Sequence, residues 1–194
     1  NDTGASEPYN LAQWYSAGKF AKYKTVSWLE QEDALKITFT YQAACVPTFE
    51  FTVTYTAHFD GKLGVCVNYA GVSGMPDMPV LALDFKMKKQ LCNFQYYGLG
   101  PDENYSDRCK GARLGLWKST TKENLSGYLN PQECGNRTGV RTLSIHDDMQ
   151  HGLTFQKASA PFEMSVLPYS AYELENAMHL DELPSVRYTW VRIA

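Results

Sequence analysis

The densest run of hydrogen-bonding side chains is YYGLGPDENYSDR, residues 96–108. Asp102, Glu103, Asn104, Tyr105, Asp107 and Arg108 bring carboxylates, an amide, a phenol and a guanidinium together, a mixture used by sugar and ion sites. Gly98 and Gly100 flank Leu99 and precede Pro101. The backbone is therefore expected to visit φ > 0 there and then to be fixed by the proline ring. Two readings follow: a ligand-contacting loop pivoting at Gly100, or a solvated connection in which Asp107 and Arg108 only brace the turn.

Glycoside hydrolysis would need two carboxylates, about 5 Å apart for retention of configuration and about 6.5–9.5 Å apart for inversion. The nearest pairs by spacing are Asp147 with Asp148 and Glu30 with Glu32. Adjacent strand residues point to opposite faces and clustered charges are usually solvated, so neither pair is expected to be catalytic. His146 and His151 flank a turn-like segment without an HExxH motif or a three-histidine set, which argues against metal catalysis. No GxSxG, phosphate-loop or dinucleotide fingerprint occurs.

Cys45, Cys66, Cys92, Cys109 and Cys134 form no CxxC pair, and their odd number cannot be fully bridged within one chain. They read as reduced thiols of a cytoplasmic protein. Asn104, Asn124 and Asn136 each begin an N-x-S/T triplet, which matters only in a secreted chain. A net charge of −3 without a basic cluster argues against nucleic acid. No apolar run approaches the ~18 residues of a membrane helix and no signal peptide is visible, so a soluble chain with no membrane partner is expected.

The elements that would position these groups are mainly strands. The 13 Tyr, 9 Phe and 4 Trp fall largely in alternating, Thr-rich runs, which favours an all-β fold with one or two short helices. The spacing predicts strands over residues 35–41, 49–57 and 63–69, the last two joined by a two-residue turn at Asp60 and Gly61. Further strands are expected at 80–87, 92–97, 138–145, 152–157, 162–167 and 186–193, with an irregular polar excursion over 111–129. Asn10 should cap a short helix that Gly18 ends, and Ser170 with Glu173 should form a capping box for a helix reaching Met178.

Three motifs, YYGLGPDENYSDR, the Tyr128 segment with NPQECGNRTGVR, and LPYSAYELENAMHLDEL, resemble the C-terminal domain, or separately encoded small chain, of family-two β-galactosidases. The NDTG start and the AQWYSAGKF that follows extend the resemblance over the full length. It implies one antiparallel β supersandwich over residues 1–194, akin to galactose mutarotase, packed beside a TIM barrel that carries both catalytic glutamates. No carboxylate here inherits a catalytic role. The resemblance places residues 100–108 near the galactoside at the active-site mouth, with Gly100 as a hinge and Glu103 and Asn104 as rim groups. It implies no cofactor in this domain, magnesium and sodium ions only in the parent enzyme, and an oligomeric parent whose other domains or large chain are the partners. The abrupt start reads as a cut from a longer polypeptide. The family's GGDDSW element, expected after the strand ending at Ala194, is not among these residues, so the stretch reads as truncated there. A stand-alone carbohydrate-binding module and an aldose epimerase-like protein are the competing readings.

Overall fold

The computed structural model describes residues 8–194, and of residues 8–10 only the backbone. The NDTG start lies outside the described residues. The chain divides into two compact units, Asn1–Pro79 and Val80–Ala194. The described residues are mostly β, arranged as three four-stranded antiparallel sheets with two short helices.

In the first unit, α1 (Pro8–Ala17) precedes β1 (Lys22–Glu30), β2 (Ala34–Gln42), β3 (Glu50–His58) and β4 (Leu63–Tyr69), which pair in chain order. Pro8 suits a first helical position, because its φ is already helical and it lacks only an N–H that would be unpaired there. Asn10 therefore sits inside the helix rather than capping it, and Gly18 just beyond the end has no positive φ. The β3–β4 hairpin forms as expected, but its connection is longer than the expected two residues. The His58 N–H donates to the Lys62 carbonyl at 2.8 Å, Gly61 takes φ 89°, and the Asp60 carboxylate accepts the Lys62 N–H at 3.1 Å.

The register stacks Tyr23, Tyr41, Phe51 and Tyr69 in one cross-strand row and Val26, Phe39, Val53 and Val67 in the next. Trp28, Ile37, Tyr55 and Val65 form a third row on the same face, while threonines such as Thr38 and Thr54 occupy the other. Helix α1 reaches one end of the aromatic face. The Trp14 ring lies 6.1 Å from Tyr69 and 5.8 Å from Phe49, and its indole N–H donates to the Pro76 carbonyl at 3.1 Å. Sequence reading missed β1 because a register shift between Tyr23 and Thr25 breaks its alternation.

In the second unit, β6 (Asn93–Gly100), β7 (Arg113–Thr120), β9 (Thr142–His146) and β10 (Gly152–Gln156) form a sheet in the order β10-β9-β6-β7. β5 (Leu83–Lys88), β8 (Arg137–Val140), β11 (Phe162–Leu167) and β12 (Tyr188–Ile193) form the other, ordered β5-β12-β11-β8. Phe94, Tyr96, Leu143 and Ile145 from the first sheet pack with Met87, Met164, Val166 and Val191 from the second in one buried core. This is a two-layer sandwich. Cys134, Leu167 and Leu174 form a second core with Leu125 and Tyr128, which fastens residues 121–137 to the sandwich. The Ser170–Glu173 capping box forms as expected, but α2 (Ala171–Glu175) stops at the Asn176 cap, short of Met178.

Three sequence expectations change in this unit. Residues 113–120 are a strand, not part of an excursion; alternation was masked because Leu114 and Leu116 face outward, at 47% and 63% exposure, while Gly115 and Trp117 pair with Gly98 and Tyr96. Residues 138–145 belong to two strands in different sheets, β8 and β9, divided at Arg141. The terminal strand, expected over residues 186–193, runs from Tyr188 to Ile193 and buries Thr189 and Val191.

Candidate functional site

The strand expected to end at Tyr97 runs on through Gly100, where it pairs with Arg113, so the loop begins at Pro101. Neither Gly98 nor Gly100 takes a positive φ. They are needed for close approach instead. A Cβ at Gly98 would lie 2.9 Å from the Val140 Cα, and one at Gly100 would run into the Tyr96 hydroxyl and lie 2.8 Å from Trp117 Cδ1. The Gly100–Pro101 peptide is cis.

Glu103 is the centre of the loop, with its side chain 11% exposed. Its Oε1 accepts the Tyr128 hydroxyl at 2.5 Å and an Arg108 N–H, while its Oε2 accepts the Ser126 hydroxyl at 2.8 Å and the Gly135 backbone N–H. Burial alone would raise the Glu103 pKa, but the donors from Tyr128, Gly135, Ser126 and Arg108 together outweigh it and hold the carboxyl below its ordinary value. The same carboxylate is the main cause that raises the Tyr128 phenol. Tyr105 is raised first by burial and then by the Glu103 charge. Glu103 is thus an ionised knot tying residues 101–112 to residues 121–137.

Asn104 is 2% exposed and makes four side-chain hydrogen bonds. Its Nδ2 donates to the Leu99 and Asp102 carbonyls at 3.0 and 2.9 Å, and its Oδ1 accepts the Thr138 N–H at 3.0 Å and hydroxyl at 2.6 Å. Asn136 Nδ2 donates to the Asn104 carbonyl at 3.0 Å and to Glu163 at 2.8 Å, and Asn124 Nδ2 donates to the Gly135 and Val166 carbonyls at 3.0 and 3.1 Å. All three sequon asparagines therefore use their amides as internal cross-links. Arg137, 6% exposed, donates through Nε to the Tyr96 hydroxyl at 2.9 Å and the Pro101 carbonyl at 3.0 Å.

The outward surface of the loop is carried by Asp102, Asp107 and Arg108, all exposed. Arg108 lays its guanidinium 4.7 Å from the Tyr105 ring centroid and donates to the Tyr128 hydroxyl at 3.0 Å, so one face of the group is stacked and one edge is committed. Of the sequence-expected residues, Glu103, Asn104 and Arg108 come together in one network, Asp107 lies at its solvent edge, and Gly100 lies beneath it in β6. Ser126, Tyr128, Gly135 and Arg137 complete the network and were not singled out as site residues. The Tyr128 segment, with its clustered Asn, Gly and Arg, was the available signal.

Asp147 and Asp148 do not join this network. Asp147 Oδ1 accepts the Met149 and His151 N–H groups, each at 2.9 Å, and Asp148 accepts the Asn93 amide at 3.0 Å. Backbone donation from His151 is the main cause lowering the Asp147 pKa. Glu30 and Glu32 are exposed at the β1–β2 connection in the other unit. Among the described residues no group of three or more His, Cys, Asp or Glu comes together to hold a metal.

The family model described as the β-galactosidase small chain matches residues 1–194, the whole length. The chain belongs to the β-galactosidase small-chain family. It is 40% identical over its full length to a β-galactosidase of Halalkalibacterium halodurans and 35% identical to one of Streptococcus thermophilus, covering 19% of each. A β-galactosidase small subunit of Latilactobacillus sakei is 32% identical, with 97% of this chain matched to 68% of that subunit. The chain thus spans about a fifth of the length of the larger relatives.

Proposed function

We propose that this chain is the non-catalytic sandwich portion of a family-two β-galactosidase, an enzyme that hydrolyses terminal non-reducing β-D-galactose from β-galactosides such as lactose. The whole-length family match at one-fifth of the relatives' length carries the reading. The state of the carboxylates supports a non-catalytic role. Glu103 is held ionised and receives four donors, so it has neither a proton for a leaving oxygen nor free lone pairs for an anomeric carbon.

In this reading the acid and nucleophile sit on a neighbouring barrel, and residues 101–112 form part of the mouth above it. Glu103 and Asn104 stiffen the rim from inside, while Asp107 and Arg108 face the galactoside or the neighbouring domain. Gly100 seats Tyr96 and Trp117 beneath the rim. The partners are the other domains or large chain of an oligomeric parent and its galactoside, with no nucleic acid or membrane. The reading assigns no cofactor to these residues and leaves magnesium and sodium to the parent. Five free cysteines support a reducing, cytoplasmic setting. Among the described residues no helix is long and apolar enough to cross a membrane.

The test compares hydrolysis of an aryl β-galactoside by residues 1–194 alone and by the β-galactosidase containing them. The expected result is turnover by the whole enzyme and none above a mock-purified control by the chain. Turnover by the chain that is lost when one of its own carboxylates is replaced would overturn the proposal, as would a whole enzyme inactive on galactosides.

A further inference from the structure

We propose that the Val80–Ala194 unit binds one ordered water molecule in the cleft between β11, β12 and the start of α2, held by the Trp190 indole N–H and the Ser165 hydroxyl. The inference stands on the geometry of this unit and is independent of the proposed function.

Strand alternation and register bring the groups together. Val166 and Val191 lie in the sandwich core, so Ser165 and Leu167 of β11 and Trp190 and Arg192 of β12 lie on the opposite face. Ser165 pairs with Arg192, and Leu167 pairs with Trp190. The start of α2 lines this face from above, and with Asp84 and Glu133 it leaves about 30 Å³ of space for the centre of a water-sized sphere. One water needs roughly 10–15 Å³ of such space, and an organic ligand of several heavy atoms needs far more. Size therefore selects water or an ion no larger.

Charge removes the ions. Arg192 donates to both oxygens of Asp84, at 2.8 and 3.0 Å, and to Glu133 at 2.6 Å, so one guanidinium is shared by two carboxylates. The remaining negative charge disfavours an anion. A hard cation needs several oxygen ligands, whereas the guanidinium and the indole turn N–H groups toward the site. Among the described residues no third carboxylate, histidine or cysteine joins Asp84 and Glu133.

Two polar groups of the cleft call for a partner. The Trp190 Nε1 atom is buried without an acceptor on the protein, and an indole N–H can only donate. Its ring is held in place by β12, which is paired on both sides, and by the Lys86 ammonium 5.4 Å from the ring centroid. Ser165 is 7% exposed, and among the described residues its hydroxyl has no hydrogen-bond partner. A buried donor left unpaired is costly, while a bridging water makes bonds nearly as good as direct ones at a small cost in entropy. The water accepts from Trp190 and donates to Ser165 Oγ and to a carboxylate oxygen of Asp84 or Glu133. It thereby ties β12 to β11 on the face that α2 covers.

The test is a crystal structure of the intact β-galactosidase containing this chain, at a resolution that shows ordered solvent. The expected result is a density peak for one water at about 2.7–3.2 Å from Trp190 Nε1, with a second contact to Ser165 or to the Asp84 or Glu133 carboxylate. Trp190→Phe keeps an aromatic ring and removes the donor, and the peak should then fall below about half its height relative to other buried waters. A site without density would overturn the inference, as would a peak belonging to an ion or a larger molecule. So would a Trp190 N–H that donates to a protein oxygen, a water that reaches neither Ser165 nor a carboxylate, or a peak that survives Trp190→Phe undiminished. Where the variant does not fold, the wild-type map decides by itself. Hydrolysis of galactosides, present or absent, alters none of these readings.

Discussion

Replacing Glu103 by Gln tests whether the loop is held by an ionised carboxylate. The change keeps the size of the group but exchanges one acceptor oxygen for an NH2. Two donors face each carboxylate oxygen, Tyr128 with Arg108 and Ser126 with Gly135, so either amide orientation sets a donor against two donors. Two charge-assisted hydrogen bonds are lost, and each contributes about 1.5–3 kcal/mol net where buried. Arg108 is half exposed and screened, so its share falls to about 0.5–1 kcal/mol. The expected loss is about 2–4 kcal/mol at pH 7, read from urea unfolding followed by tryptophan fluorescence. Amide exchange across residues 101–112 and 121–137 should rise with it. The pH dependence has a defined sign. Because the folded pKa is depressed, the contribution is full above the unfolded value near ~4.3 and fades as pH falls through the lower folded value. The variant's deficit should therefore shrink below about pH 4.3. A change under about 0.5 kcal/mol with unaltered amide exchange would refute the reasoning.

Gly100→Ala should destabilise by about 1–3 kcal/mol, because its Cβ overlaps the Tyr96 hydroxyl and crowds Trp117. Gly111→Ala, where the new Cβ meets nothing within 4 Å, should stay within about 0.5 kcal/mol; equal melting temperatures for the two would contradict the packing account. Ser170→Ala removes the hydroxyl half of the capping box while leaving the residue-170 N–H to donate to Glu173, and should cost about 1 kcal/mol, checked by thermal melting. Arg192→Lys replaces a fork that donates to both oxygens of Asp84, at 2.8 and 3.0 Å, and to Glu133 at 2.6 Å. It should lower stability by about 1–2 kcal/mol, and more than Lys62→Arg at the exposed hairpin, as measured by urea midpoint.

The strands were legible where apolar and polar residue types alternate in the sequence. Residues 35–41, 63–69 and 162–167 were read nearly to the residue, although exposure alternates along β4 alone of the three. β1 was hidden by its register shift, and β7 by glycine and tryptophan at paired positions with leucines turned outward. Gly98 and Gly100 were read as turn glycines when their purpose is to let Val140, Tyr96 and Trp117 approach β6. Sequence shows that a position lacks a side chain, but what would occupy the space, Val140 at Gly98 and Tyr96 with Trp117 at Gly100, is set by the strand pairing. For the same reason Glu103 and Arg108 were recognisable as a cluster, whereas the cross-links to Ser126, Tyr128 and Gly135 appear only once residues 121–137 fold over the loop.

The central claim is that this chain supplies architecture and not the hydrolytic carboxylates. The most direct measurement is kcat for an aryl β-galactoside in the intact enzyme carrying Asp147→Asn, Asp148→Asn, Glu30→Gln or Glu32→Gln, one at a time, with folding checked by circular dichroism. Each folded variant is expected to keep kcat within about threefold of the unsubstituted enzyme, since none would touch the proton or bond transferred. A fall of a thousandfold or more in kcat for any folded variant would place a reacting carboxylate in this chain and contradict the account.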